Sequence, residues 1–214
     1  MKVAIMQPYF FPYAGYFRLF SEVDLFVVYD CVQFPRRGWV HRNRVLFGAN
    51  LQWITLPLEK CTQSTNICDL VFRKDVANWS DLTIDKLKTI ATPNRLINNF
   101  NWSLLQPKGT VVDYLIDTIT WCGESLGAST NLVRSSSLGI DHAIKSQERI
   151  IEICRTVGAT QYLNLSGGTS LYETTQFSRA GIDLSFLPQF QGEYESVLGR
   201  FLKEPSMNIR REIC

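Results

Sequence analysis

Two short apolar runs near the start of the chain, Lys2-Val3-Ala4-Ile5-Met6 and Leu25-Phe26-Val27-Val28-Tyr29, set the fold class. The second is continuous, β-branched and aromatic, which suits a strand covered on both faces, and such strands belong to largely parallel sheets flanked by helices. Between them Phe17, Phe20 and Tyr16 fall three or four apart, so the spacing predicts a helix over 14–22 with Pro12 just ahead of it. The unit therefore reads strand, helix, strand, with a right-handed crossover. Its loops open at the carboxyl ends of the strands, the edge where these sheets hold ligands.

Further along, Arg44–Phe47 and Leu51–Leu58 flank Gly48-Ala49-Asn50, which predicts a hairpin. Asn66–Phe72 suggests a strand, and Ser80 or Asp81 can cap a helix that runs to Ala91 and is ended by Thr92-Pro93. Val112, Leu115, Ile119 and Cys122 share one face of a helix over 109–126. Ser146 is expected to cap a helix over 146–157 that Gly158 stops. Tyr162–Leu165 reads as a strand, Ser166–Ser170 as a flexible loop, 172–180 as a helix and Ile182–Leu187 as a last strand. The expected architecture is one Rossmann-like α/β domain over 1–214, with room for a helical insertion around 79–126.

With 214 residues, 45% of them hydrophobic and 20% charged, the chain can bury a full core. No apolar run approaches the roughly 18 to 20 residues that span a bilayer, and the start lacks a leader pattern, so cytoplasmic location is expected. The six cysteines are scattered without a Cys-x-x-Cys pair, and only His41 and His142 could join them. They read as reduced thiols rather than metal ligands. The net charge of +2 is small but uneven, because Cys31–Leu58 contains four arginines and no acid. That points to a local anion site and away from nucleic acid as a partner.

Three places carry residues suited to chemistry. The turn Gln7–Tyr16 sets Gln7, Pro8, Tyr9, Tyr13, Gly15 and Tyr16 at the mouth of a βα loop, where amide and phenol groups can bond a polar ligand and aromatic rings can stack on it. Asp30 follows the second strand, and after it come Gln33, Arg37, Trp39, His41, Arg42, Asn43 and Arg44, a set whose guanidinium groups suit a diphosphate. Ser166 and Gly167 stand in a glycine-bearing loop before a helix, a weaker anion signal without P-loop spacing. Ser135-Ser136-Ser137 reads as a plain turn, and no Gly-x-Ser-x-Gly hydrolase signature is present.

The blocks MQPYFFPYAGYF, DLFVVYDCVQFPRRGWVHRNR and WITLP, with YLNLSGG and the Gly-Ile-Asp-Leu stretch after it, resemble the WbqC-like family, a bacterial group encoded among genes for surface polysaccharide such as O-antigen. The chain departs from the family pattern at Cys31, where an acid is more usual, and at His41, where asparagine is. The resemblance extends over nearly the whole chain. It implies an enzyme acting on a nucleotide-linked amino sugar, transferring an acyl or aminoacyl (for example glycyl) group to the sugar amine. A more distant similarity in layout is to nucleotidylyltransferases, with Tyr13 and Tyr16 at the places of their His-x-Gly-His pair; a neutral phenol cannot supply an imidazolium's charge.

On this reading a single pocket is expected to gather Gln7, Tyr16, Asp30 and Arg42, with Asp30 as general base and Tyr16 beside it as a second catalytic residue. Arg37, Arg42 and Arg44 are expected to hold phosphates. The partners expected are a nucleotide sugar and an acyl or aminoacyl donor, with no obligatory cofactor identified and a homo-oligomer left open. Nucleotidyl transfer, ATP-dependent amino-acid activation and a non-catalytic binding or scaffold role remain alternatives.

Overall fold

The computed structural model describes residues 1–91 and 100–213. Strands β1 (Lys2–Met6) and β2 (Leu25–Val28) pair in parallel, with Val3 opposite Leu25 and Met6 opposite Val28. Val3, Ile5 and Val27 enter one core while Ala4, Phe26 and Val28 enter another on the opposite face. Both faces are covered, so neither strand shows the polar alternation of a one-sided sheet.

A hairpin of β3 (Arg42–Phe47) and β4 (Asn50–Thr55) follows as a separate two-stranded sheet. Its register begins two residues earlier than the sequence suggests, and Gly48 at φ +59° makes the turn. The main sheet is completed by β5 (Asn131–Arg134), β6 (Gln161–Asn164) and β7 (Asp183–Phe186), all parallel, in the order β5-β2-β1-β6-β7. The chain works outward from β1 to β5, then returns to lay β6 against the other side of β1. Strand order thus reverses between β1 and β6, and their carboxyl ends frame a crevice.

Two strand readings along the chain differ from expectation for clear physical reasons. β5 escapes the sequence reading because it is a half-buried edge strand of four residues, Asn-Leu-Val-Arg, without a continuous apolar run. Asn66–Phe72 is no strand: Ile67 and Leu70, three apart and both buried, bracket a 3-10 turn at Ile67–Asp69 between isolated bridges at Asn66 and Phe72.

A 3-10 turn at Ala14–Phe17 leads into the short α1 (Arg18–Glu22), and α2 (Val76–Lys88) starts before the expected Ser80 or Asp81 cap. Thr92-Pro93, expected to end that helix, lies outside the described residues, as does Cys214. α3 (Val111–Ser125) is fixed by a capping box in which Asp113 N donates to Thr110 Oγ1 at 3.1 Å and Thr110 N to Asp113 Oδ2 at 3.2 Å. Its expected apolar face packs into the same core as α1 and the inner face of the hairpin. α4 (Ser146–Thr156) and α5 (Thr174–Arg179) cover the other face through Ile150, Ile153 and Phe177. Ser146 does not cap α4: it enters at φ +52°, away from the extended backbone that a capping side chain needs.

The short α6 (Val197–Phe201) and α7 (Ser206–Arg210) close the chain around Arg200, whose side chain is buried between Glu204 at 2.6 Å and Glu212 at 2.6 Å. Hydrogen bonds from Arg200 hold the Glu212 carboxyl below its ordinary 4.5. A depressed folded-state pKa contributes stability that is present above the unfolded value and lost as pH falls through the folded one. Melting temperature is therefore expected to drop on acidification from pH 4.5 downward, and Glu212→Gln should flatten that part of the pH profile. An equally steep profile in the variant would show that other carboxylates dominate. Among the described residues no helix is long and apolar enough to cross a membrane.

Candidate functional site

A cleft of about 990 Å³ opens at the crevice between β1 and β6. One wall is the turn after β1, which includes Gln7, Tyr9, Pro12 and Tyr13. Within this turn Phe11 is fully buried at φ +42°, a conformation that side chains with a Cβ rarely adopt, so its neighbours must hold it there. Asn43 Nδ2 donates to Phe10 O at 3.0 Å and to Phe11 O at 2.8 Å, Ser196 Oγ donates to Phe11 O at 2.6 Å, and Phe10 N donates to Trp39 O at 2.9 Å. The hairpin and the start of α6 thereby clamp the turn. Gly15 lies behind it, where a Cβ would run into the rings of Tyr13 and Phe190.

The opposite wall comes from the end of β6 and the segment after β7. It presents Asn164, Ser166, Gly167, Tyr172, Gln189 and Tyr194. Ser166–Leu171 is a 3-10 turn, not a flexible loop. Tyr194 stacks on Tyr13 with ring centroids 4.9 Å apart. At the hairpin side, Trp39, 38% exposed, meets the cleft beside Arg44.

The charge of this lining is one-sided. Among the described residues, Arg18 and Arg44 are its charged side chains, and no aspartate, glutamate, histidine or cysteine contributes. Arg18 is oriented by donating from Nη1 to Pro188 O at 2.7 Å. Burial pushes the phenols of Tyr13 and Tyr29 up to about 12, and burial also raises Tyr9 and Tyr172. They stay protonated in neutral solution and can donate hydrogen bonds. The cleft is therefore cationic, rich in donors and aromatic.

Of the residues singled out from the sequence, Gln7, Tyr9, Tyr13, Trp39, Asn43, Arg44, Ser166 and Gly167 line this cleft. The expected single pocket joining Gln7, Tyr16, Asp30 and Arg42 does not form. Tyr16 is fully buried under the turn, donating its hydroxyl to Gln7 O at 3.0 Å, so it positions Gln7 and cannot touch a ligand in the cleft. Pro8 and Gly15 are buried as well and lie outside the lining.

Asp30 is fully buried in the neighbouring crevice between β2 and β5. Its carboxylate accepts from Ser135 Oγ at 2.9 Å, Ser136 N at 2.9 Å, Ser136 Oγ at 2.7 Å and Arg134 Nε at 3.0 Å. With its oxygens occupied and no face on the cleft, it cannot serve as general base there. Ser135-Ser136-Ser137, read as a plain turn, is the cradle of this carboxylate.

Gln33, exposed, donates to Gln63 O at 2.8 Å, and Arg37 is exposed beyond the cleft. Arg42 donates to Arg37 O at 3.0 Å and lies 4.2 Å over the ring of Trp53, so its charge braces the hairpin. His41 packs edge-on to Phe34, and burial followed by the charge of Arg42 pushes its imidazole down to about 4, leaving it neutral at pH 7.

Arg18, Tyr29, Asn164, Tyr172, Gln189 and Tyr194 were not singled out from the sequence. Tyr29 and Asn164 stand at strand ends, a signal that was available; Gln189 and Tyr194 come from an irregular segment that carries none.

A family model described as WbqC-like protein family matches residues 7–207. The chain is 26% identical over 227 residues to Uncharacterized protein Rv1507c of Mycobacterium tuberculosis (strain ATCC 25618 / H37Rv), with 97% of this chain and 90% of that protein covered. No solved structure matches the chain.

Proposed function

Because the chain belongs to the WbqC-like protein family, we propose that its cleft between β1 and β6 binds a nucleotide-linked amino sugar and presents the sugar amine for acyl or aminoacyl transfer in surface polysaccharide assembly. The observation that carries this reading is the acid-free lining around Arg18 and Arg44. A guanidinium grips a diphosphate by paired hydrogen bonds, and no carboxylate on the lining opposes that charge. Trp39 offers a flat face for a base, and the protonated phenols match the acceptor oxygens of a saccharide. The cleft lies within the size range of small-molecule and cofactor sites.

The lining also favours a second reading. With no carboxylate, imidazole or thiol on it among the described residues, the cleft has no group poised near neutral pH to take a proton from an ammonium. Transfer there depends on an amine that arrives neutral, or the chain binds and presents the sugar for a partner enzyme. Product formation from a bound sugar nucleotide and an acyl or aminoacyl donor, followed by mass spectrometry, separates the two.

Binding itself is tested by thermal shift with a panel of UDP-, GDP-, CMP- and dTDP-linked amino sugars. At least one should raise the melting temperature. Arg44→Ala removes an exposed side chain and should weaken that ligand by about 10- to 150-fold, the equivalent of losing about 1.5–3 kcal/mol of hydrogen bonding to a charged group. No shift with any member of the panel would remove the reading.

A further inference from the structure

A second, smaller pocket of about 250 Å³ lies at the carboxyl ends of β2 and β5, and its lining includes Cys31, Ser135, His142 and Arg149. Arg149 projects from α4 and is only 4% exposed. Among the described residues it forms no ion pair with a carboxylate. Its Nη1 donates to Asp141 O at 2.8 Å and Ile144 O at 3.1 Å, while its buried Nε has no partner among the described residues. A guanidinium buried without a carboxylate in contact is costly, and the acid on this lining, Asp141, is exposed and accepts from Ala143 N at 2.9 Å instead of pairing with it.

The atom this charge faces is sulfur. Arg149 Nη2 donates to Cys31 Sγ at 3.0 Å, and the same sulfur lies 3.0 Å from Ser135 Oγ. Ser135 in turn donates to Asp30 Oδ1 at 2.9 Å, while the backbone N–H groups of Asp30 and Cys31 point at its oxygen and hold it in place. Charge developing on the sulfur therefore meets a guanidinium. This is the electropositive setting in which a thiol acts as a nucleophile.

We propose that Cys31 is a nucleophilic thiol whose pocket takes a small activated acyl group in thioester form. The choice of an acyl group rests on the acyl-transfer reading of the main cleft, whose lining residues Tyr29 and Ile150 are close chain neighbours of Cys31 and Arg149. In the step, Cys31 Sγ attacks the acyl carbon, and the new S–C bond forms as the donor's C–S bond breaks. The thiol proton is taken up by the departing donor sulfur. One thioester replaces another, with no net oxidation or reduction.

Two measurements on the folded protein decide this. With iodoacetamide and peptide mapping, Cys31 should alkylate at least about tenfold faster than Cys61 or Cys68, although both of those are more exposed. With the N-acetylcysteamine thioester of acetate, the peptide carrying Cys31 should gain one acetyl group, and Cys31→Ser should abolish that gain. Alkylation of Cys31 no faster than that of Cys61 and Cys68 overturns the proposal, and so does alkylation without acetyl uptake. A reactive, acetylated Cys31 in a protein that binds no nucleotide sugar supports it and removes the reading of the main cleft instead. Nucleotide-sugar binding beside an inert Cys31 does the reverse.

Discussion

Asp30→Asn is expected to lower stability by about 3–5 kcal/mol, the usual cost of breaking a buried charge pair from one side. For a chain of this size that is a fall of about 6–20 °C in melting temperature. The carboxylate is fully buried and accepts four hydrogen bonds, from Ser135 Oγ, Ser136 N, Ser136 Oγ and Arg134 Nε. An amide of the same shape turns a donor toward one of these donors and removes the negative charge opposite Arg134. The loss is structural because the network ties the end of β2 to the end of β5, an edge strand with little apolar surface of its own. Thermal or urea unfolding measures it. A variant that melts within about 2 °C of the parent while losing all activity would return Asp30 to the chemistry.

Asn43→Asp makes the same exchange in the opposite direction and is expected to cost a similar amount, about 3–5 kcal/mol. Asn43 is 6% exposed; its Nδ2 serves Phe10 O and Phe11 O, and its Oδ1 accepts from Arg44 N at 2.8 Å. These partners fix which end of the amide is nitrogen. A carboxylate would set oxygen against two carbonyl oxygens at the point where Phe11 is held at positive φ. The turn that carries Gln7, Tyr9 and Tyr13 should then loosen, so ligand affinity falls together with stability.

The pH dependence identifies the cause. The introduced carboxyl, buried and facing acceptors, has its folded-state pKa raised, so the deficit is fully felt above that value and shrinks as acid restores a donor proton. A deficit independent of pH would point to packing instead of hydrogen bonding.

These two positions also show how far the primary structure could be read. β1 and β2 were legible because strands covered on both faces must be apolar throughout, and α3 was legible because a helix with one buried face repeats every three or four residues. β5 was not, since an edge strand gains its place from the hydrogen bonds of its neighbour β2. The first turn was recognisable as the rim of a cleft from its amide and phenols. Which of them face the cleft was not: Tyr13 and Tyr16 are three residues apart and chemically alike, yet one lines the cleft and the other lies beneath it, its hydroxyl bound to Gln7 O.

Charged residues were the hardest to place for the same reason. Arg42 and Arg44 alternate with Asn43 along β3 and share its outer face. Arg44 reaches the cleft, while Arg42 is held against Trp53. Asp30 looked like a free acid at a strand end because nothing near it in the chain neutralises it. Its partners, Arg134 to Ser136, lie more than a hundred residues away.

Local order thus decided the inner strands, the amphipathic helices and the edge at which they open, because periodicity and chain stiffness act over a few residues. The reversal of strand order between β1 and β6, the gathering of Arg18 and Arg44 without an acid, and the sealing of Asp30 between the ends of β2 and β5 were settled only on folding. Each depends on which distant segments come within hydrogen-bonding range, and the spacing of residues along the chain does not encode that.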